Sequence, residues 1–156
     1  MREAVLILHN IRSATNVGAI FRTSDGAGVR KIYISGYTPT PITRFGVPQK
    51  DIAKSALGAE KFIPWESTQS PSILIKKLKA QGFQVVCVEQ DVASIDYRKV
   101  CLKERVVFMF GNEVRGISKQ LLKHADCIAE VPMVGRKESL NVATTAGIVL
   151  FRLLQP

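Results

Sequence analysis

The sequence predicts an α/β domain with a mostly parallel β-sheet flanked by helices. Two observations carry this. Short runs with apolar centres recur along the chain, among them Ala4–Leu8 (AVLIL), Gln84–Glu89 (QVVCVE) and Arg105–Phe110 (RVVFMF), as expected of strands buried on both faces of a parallel sheet. Segments of helical periodicity alternate with them in the order βαβαβαβαβα, which is the signature of layered α/β architecture. The chain has 156 residues, 46% of them hydrophobic, enough for one domain over residues 1–156 that buries roughly 70% of its unfolded surface without disulfide or metal staples. Such a composition excludes disorder as the main state. No window approaches the ~20 apolar residues of a membrane span, and residues 1–10 lack the layout of a signal peptide. The expectation is a cytoplasmic protein that does not associate with membranes.

Each element follows from local chemistry. Ala4–Leu8 reads as the first buried strand. A polar loop leads to Asn16, a residue able to cap a helix that buries Val17, Ile20, Phe21 and Ser24 and stops near Gly26 or Gly28. Lys31–Ser35 (KIYIS) gives the second strand. The segment from Gly36 to Pro48, with three prolines and two glycines, is a loop far longer than the usual connection, and such loops in compact domains are commonly functional. Lys50–Glu60 has helical periodicity and Lys61–Trp65 (KFIPW) reads as a short edge strand. Ser72–Gln81 is a basic amphipathic helix with Ile73, Leu74 and Leu78 on its apolar side and Gly82 as its stop. After the strands at Gln84–Glu89 and Arg105–Phe110 come a short helix, Ser118–His124, and a strand, Cys127–Val131. The last element is a long helix, Ser139–Leu154, capped by Ser139, with an apolar stripe of Leu140, Ala143, Ile148, Phe151 and Leu154.

Charge and cysteine usage bound the function. Lys and Arg total 22 against 13 Asp and Glu, a net charge of +9. That balance serves either solubility or a polyanionic partner such as nucleic acid, and composition does not choose. Cys87, Cys101 and Cys127 show no paired spacing and no histidine in register, so they read as reduced thiols in or near the core and not as a metal site.

In open α/β sheets ligands bind beyond the carboxyl ends of the strands, which directs attention to three turns. The first runs from Asn10 to Arg22, the second from Gly111 to Gly116 (GNEVRG), and the third from Pro132 to Ala143 (PMVGRKESLNVA). Gly111 and Gly116 suit a close backbone approach or a left-handed turn. Ser139 and Asn141 open the last helix, where free N–H groups attract oxygen-rich ligands. Taken singly, each of these is also ordinary turn chemistry. Arg22 has small neighbours, Gly18, Ala19 and Gly26, which suggest that another backbone or a ligand comes close, although a solvated surface arginine fits as well. Phosphate-loop, dinucleotide-binding and nucleophile-elbow motifs are absent from the sequence, which counts against kinase, dinucleotide oxidoreductase and hydrolase functions.

The pattern N-x-x-x-x-x-N-x-G-A-x-x-R over Asn10–Arg22, the segment Phe110–Gly116 (FGNEVRG) and the segment Val131–Ala143 (VPMVGRKESLNVA) together resemble, in order and spacing, the three motifs of the SpoU (TrmH-type) RNA ribose 2′-O-methyltransferases of the SPOUT class. Lys54–Ala59 (KSALGA) also resembles a family segment, and the likeness runs from Val5 to Leu154. It implies a deep trefoil knot formed from about Val85 onward, a homodimer, and S-adenosylmethionine as cofactor, held by Gly111, Val131 and Leu140 with Val88 and Ser139 close by. It further implies catalytic roles for Arg22, Asn16, Glu113, Ser139 and Asn141. A guanidinium is effectively always protonated, so Arg22 suits phosphate binding and electrostatic stabilisation better than general-base catalysis. The implied partner is tRNA or rRNA. Arg12 and Arg115 are candidate phosphate contacts, and Arg44, Lys50, Lys54, Arg136 and Lys137 are candidate RNA-binding patches, whereas Lys76, Lys77 and Lys79 read as a solvated helix face. Compared with many family members the sequence has no evident RNA-binding extension, which places substrate binding on the domain's own surface and its dimer partner. Two alternatives remain: a non-catalytic RNA-binding protein on a knotted scaffold, and a SPOUT enzyme methylating a base.

Overall fold

The computed structural model describes residues 2–155. Seven strands form one sheet: β1 (Glu3–His9), β2 (Lys31–Ser35), β3 (Trp65–Thr68), β4 (Gln84–Val88), β5 (Ile95–Asp96), β6 (Arg105–Phe110) and β7 (Cys127–Glu130). Their spatial order is β3-β2-β1-β6-β4-β7-β5, and every neighbouring pair is parallel. The helices are α1 (Ala14–Ala27), α2 (Lys50–Ala56), α3 (Ala59–Phe62), α4 (Pro71–Ala80), α5 (Lys119–Leu122) and α6 (Val142–Leu154). They cover both faces of the sheet. One core layer gathers Leu6, Leu8, Phe108 and Phe110 with Val17, Ile20 and Phe21 of α1, Ile52 of α2 and Val149 and Leu150 of α6. The other gathers Ile7, Val85, Cys87 and Met109 with Leu74, Ile75 and Leu78 of α4. The central strands β1, β4 and β6 are buried on both sides, which accounts for their unbroken apolar character.

Several elements differ from the sequence-based expectation, each for a local reason. Helix α1 is capped by Ser13 and not by Asn16: Ser13 is extended and its hydroxyl accepts from the Asn16 N–H at 3.2 Å, which leaves the Asn16 side chain free for other partners. The helix expected over Lys50–Glu60 is two helices, because Leu57 (φ 51°) and Gly58 (φ 94°) turn left-handed. The edge strand expected at Lys61–Trp65 lies at Trp65–Thr68 instead, since α3 occupies Ala59–Phe62. Strand β5, only two residues long, is too short to show periodicity. Helix α6 is capped by Asn141, whose Oδ1 accepts from Ala143 and Thr144 N–H, so Ser139 lies before the helix and caps nothing. The face of α6 that packs inward is Ala146, Val149 and Leu150; of the expected stripe, Leu140 precedes the helix, Phe151 is exposed and Ala143, Ile148 and Leu154 are half-buried. Similarly, Ile75 joins Leu74 and Leu78 in the core while Ile73 is exposed. Cys101 is exposed, outside the core expected for it, whereas Cys87 is buried and Cys127 half-buried. Burial pushes the Cys87 thiol up to about 12. Lys76 and Lys77 are solvent-exposed, but Lys79 is paired with Asp126 at 2.7 Å.

Helix α1 is held between α2 and α6. A Cβ at Gly18 would overlap Ser55 Oγ and sit 2.5 Å from Ile52 O, and one at Gly26 would sit 3.1 Å from the Phe151 ring. The small residues around Arg22 therefore admit neighbouring helices, and the KSALGA segment is what packs against Gly18. Gly18→Ala must push α2 off α1, and the expected cost is about 1–3 kcal/mol, seen as a fall of several degrees in the thermal midpoint. A midpoint equal to that of the unaltered protein would contradict this packing.

Candidate active site

The carboxyl ends of β1 and β6 are adjacent, with Leu8 opposite Phe110, so the turns that follow them meet. Glu113, three residues beyond β6, uses both carboxylate oxygens there. Its Oε2 accepts from the Arg12 N–H at 2.9 Å, and its Oε1 accepts from the Ser13 N–H and from Asn16 Nδ2, both at 3.1 Å. Asn16 lies in the first turn of α1 and its other amide atom, Oδ1, accepts from Asn141 Nδ2 at 3.1 Å. One chain of hydrogen bonds, Glu113 to Asn16 to Asn141, thus joins the three turns that the sequence singles out. Partial burial pushes the Glu113 carboxyl up, but the amides of Arg12 and Ser13 and the Asn16 side chain outweigh it and hold the group below its ordinary value.

A second network surrounds Asn112, which is buried. Its Nδ2 donates to the carbonyl of Asn10 and to the hydroxyl oxygen of Tyr37, both at 2.9 Å, and its Oδ1 accepts from the N–H groups of Val114 and Arg115. Asn10 is left-handed (φ 56°), a conformation asparagine tolerates. Its Oδ1 accepts from the Tyr37 N–H at 3.3 Å and its Nδ2 donates to His9 Nε2 at 3.2 Å. The imidazole proton therefore sits on Nδ1, which faces Ser35 Oγ at 2.8 Å. Burial holds His9 below its ordinary value, in the neutral form.

These networks border a cleft of about 260 Å³ beyond the carboxyl ends of β4, β6 and β7. Its apolar walls are Val88, Phe110, Val131, Met133, Leu140 and Val142, and four acidic residues, Glu89, Glu113, Glu130 and Glu138, line it with Gln90, Asn112, Ser139 and Thr145. Among the described residues no lysine, arginine or histidine lines it. Gly111 forms part of the floor, where a Cβ would lie 2.7 Å from the Gly116 carbonyl carbon and from Ile117 Cγ1. Gly116 is left-handed (φ 66°), and a side chain there would collide with Glu89, whose Oε2 accepts from the Ile117 N–H at 2.9 Å. On the far side Gln90 Nε2 donates to the Glu138 carbonyl at 2.5 Å, tying the turn after β4 to the loop before α6.

The residues singled out from sequence fall into three groups. Val88, Gly111, Val131, Ser139 and Leu140 all line the cleft, as does Glu113, and Asn16 and Asn141 sit beside it through the bridge described above. Arg22 does not line it. That residue is exposed on α1, six residues past Asn16, hence about 9 Å along the axis and rotated by about 120°. Arg12, Arg44, Lys50, Lys54, Arg115, Arg136 and Lys137 are all exposed, and only the backbone N–H groups of Arg12 and Arg115 enter the networks. Sequence reasoning missed Glu89, Gln90, Glu130 and Glu138 in the cleft, and Asn10, Asn112 and Tyr37 beside it. Glu89, Gln90 and Glu130 end or follow strands β4 and β7, so the position-after-strand rule that found the other turns applies to them too.

A parallel α/β sheet whose polar residues converge beyond its central strands, around a cleft with apolar walls and an acidic lining, has the layout of an open α/β ligand-binding site. Residues 3–151 match the SpoU rRNA Methylase family, and the chain belongs to that family. An uncharacterized tRNA/rRNA methyltransferase of Archaeoglobus fulgidus is 32% identical over 149 residues, covering 96% of this chain and 63% of that protein. A tRNA (guanosine(18)-2′-O)-methyltransferase of Aquifex aeolicus is 29% identical over 150 residues, covering 96% of this chain and 68% of that protein. Among solved structures, the AdoMet-bound rRNA methyltransferase from Sinorhizobium meliloti superposes with a TM-score of 0.86 at 32% identity, covering 96% of this chain and 55% of that one. The chain therefore spans less than two thirds of the A. fulgidus and S. meliloti proteins.

Glu113→Gln removes the charge from the group that holds the turns together. The expected loss is about 1–3 kcal/mol at neutral pH, the scale of hydrogen bonds to a charged acceptor. Because the folded carboxyl titrates below its unfolded value, its contribution is present above the ordinary carboxylate range and disappears as pH falls through the lowered folded value. Urea unfolding of both proteins across that range should show their difference shrinking in acid. A difference independent of pH would contradict the role given to the charge.

Proposed function

We propose that the chain is an S-adenosylmethionine-dependent RNA ribose 2′-O-methyltransferase. The observation that carries this reading is the cleft: acidic and, among the described residues, free of basic side chains, in a protein of net charge +9. A cleft of that kind suits a cationic ligand with an apolar aromatic part, and it suits a phosphate-bearing cofactor poorly. S-adenosylmethionine, with its sulfonium, its ammonium and its adenine, fits the donor set. Bound there, it supplies an electrophilic methyl group. Val88, Gly111, Val131 and Leu140 would hold the adenine and ribose by backbone groups and apolar walls, with Ser139 at the mouth.

The chain's own residues have the remaining work of placing the ribose 2′-oxygen in line with the methyl group and stabilising its developing negative charge. Asn16, fixed at both ends of its amide, and Asn141 orient the ribose, and Glu113 maintains the frame. Arg22 is assigned the phosphate beside the reacting ribose and electrostatic stabilisation of the alkoxide. The exposed bases Arg12, Arg44, Lys50, Lys54, Arg115, Arg136 and Lys137 neutralise RNA phosphates. The relatives from Aquifex aeolicus and Pseudomonas aeruginosa are named for 2′-O-methylation of tRNA and of 23S rRNA, which supports tRNA or rRNA as the substrate class and a cytoplasmic site of action. Two architectural features belong to the same reading. A trefoil knot in the C-terminal part is supported by the placement of β7 between β4 and β5, both of which precede it in the chain. A homodimer is supported by the partly uncovered apolar side of α6, where Ile148 and Phe151 remain accessible.

Incubation with S-adenosylmethionine and either tRNA or rRNA, followed by nucleoside mass spectrometry, should reveal a 2′-O-methylated nucleoside. No such product from either RNA, together with no heat of cofactor binding in calorimetry, would refute the proposal. Arg22→Ala should lower methyl transfer by about 100- to 1,000-fold, the scale for removing one electrostatic stabiliser, with cofactor affinity unchanged. Loss of cofactor binding in that variant would contradict the placement of Arg22 outside the cleft.

A further inference from the structure

The loop between β2 and α2 carries two exposed aromatic rings, Tyr37 and Phe45, and the proposed chemistry uses only its Arg44. Its base is anchored by Thr38, buried, whose hydroxyl donates to the Ser35 carbonyl at 2.8 Å and accepts from the Ile11 N–H at 3.0 Å. Its outer part closes as a small hairpin, with the Thr43 N–H donating to Val47 O at 2.8 Å and the Gln49 N–H to Pro41 O at 2.9 Å. Tyr37 is held at both ends: its N–H bonds Asn10 Oδ1 and its hydroxyl accepts from Asn112 Nδ2. Even so, it is 59% exposed. A ring fixed by its backbone and its hydroxyl while remaining open to solvent has already lost its rotamer freedom and is ready to receive a flat partner. Phe45, at the hairpin tip, is 77% exposed, and the Arg44 guanidinium lies 4.7 Å from its ring centre. From residue 36 to 58 the chain carries Arg44, Lys50 and Lys54 against the single carboxylate Asp51.

We infer that this loop is a base-stacking platform for single-stranded RNA, with Tyr37 stacking a nucleobase next to the cleft and Phe45, beside Arg44, stacking a second one further out. Exposed aromatic faces interleaved with cations are the physical means of gripping an unpaired strand, because every base has a π-face and every linkage a phosphate. An A-form duplex keeps its bases stacked inside and offers side chains only backbone and 2′-hydroxyls. The substrate class that follows is an unpaired loop or single-stranded stretch of RNA in preference to a helical stem. The inference rests on the RNA substrate of the methyltransferase reading and is independent of the methyl-transfer step.

The test is a fluorescence titration of the full chain with a short unstructured RNA containing 2-aminopurine, and with the same strand annealed to its complement. Stacking should quench the single strand, and the duplex should bind at least about tenfold more weakly. Tyr37→Ala and Phe45→Ala should each weaken single-strand binding by roughly 5- to 100-fold, the range for loss of one base–aromatic stack. Tyr37→Phe, which keeps the ring and loses the hydroxyl's bond to Asn112, should restore most of the affinity. Equal binding of duplex and single strand, or alanine variants that bind as the unaltered protein does, would overturn the inference. So would a Tyr37→Phe variant as weak as Tyr37→Ala, which would make Tyr37 merely a support for Asn112. Calorimetry with S-adenosylmethionine on the same preparation separates the two readings, since absent cofactor binding counts against the methyltransferase alone and leaves the stacking result standing.

Discussion

The site depends on one carboxylate. Glu113 accepts two backbone N–H groups at the start of α1 and the side-chain amide of Asn16, and those backbone donors belong to residues before and at the helix cap, where no intrahelical acceptor exists. The pairing is possible because β1 and β6, about a hundred residues apart in the chain, are neighbours in the sheet with their carboxyl ends level. Asn16 then has its NH2 directed at Glu113, which leaves its oxygen to accept from Asn141. Since Asn141 is also the cap of α6, the orientation of one amide connects the first turn, the second turn and the start of the last helix. The tie between the third turn and the first thus depends on an acceptor at residue 113 that keeps the Asn16 amide in this orientation.

The protein also sustains two opposite electrostatic environments. Its surface carries the excess of cations, while its cleft is lined by four glutamates and by no base among the described residues. Glu89 and Glu113 accept hydrogen bonds from backbone N–H groups, which offsets the cost of taking them partly out of water. A basic exterior attracts a polyanion, and an acidic interior repels its phosphates while favouring a small cation. On the methyltransferase reading proposed above, the two ligands differ in charge in this way, and the separation would keep each from the other's site.

Much of this was legible in the sequence, and what was not has identifiable causes. The strands β1, β4 and β6 announce themselves because a strand covered on both faces is apolar at nearly every position, and β2 and β7, though less buried, still carry apolar runs. Strand β3 (WEST) lies at the edge and is mostly polar, and β5 has two residues, so neither leaves a periodic trace. The helix starts are ambiguous in the sequence for a shared reason: Ser13, Asn16, Ser139 and Asn141 are all competent caps, and the choice between them is made by tertiary partners. Ser13 takes the cap at α1 and Asn16 turns to Glu113; at α6 Asn141 takes the cap and Ser139 goes to the cleft mouth. The cleft residues within recognisable segments were found, whereas Glu89 and Glu130 were passed over because a glutamate after a strand has nothing in its local sequence to set it apart from a solvated surface charge. Tyr37 was invisible for a different reason, since its role as a held and exposed ring exists only once Asn10 and Asn112, 102 residues apart in the chain, are brought together.

The frame around the cleft is built mainly from neutral amides. Asn10, Asn16, Asn112 and Asn141 supply most of its side-chain bonds, and amides do not titrate. Two titratable members, His9 and Glu113, are both shifted downward, His9 by burial and Glu113 by hydrogen bonds that outweigh its burial. For either group a lowered folded value means that the unfolded chain binds protons more readily, so stability is present above the unfolded value and is lost as pH falls toward the folded one. The consequences of protonation also point the same way. A proton on His9 Nε2 would face the Asn10 NH2, donor against donor, and a proton on Glu113 would weaken its hold on the Arg12 and Ser13 amides. Both shifts therefore favour the one state of each group that the amide network accepts, the neutral imidazole and the ionised carboxylate.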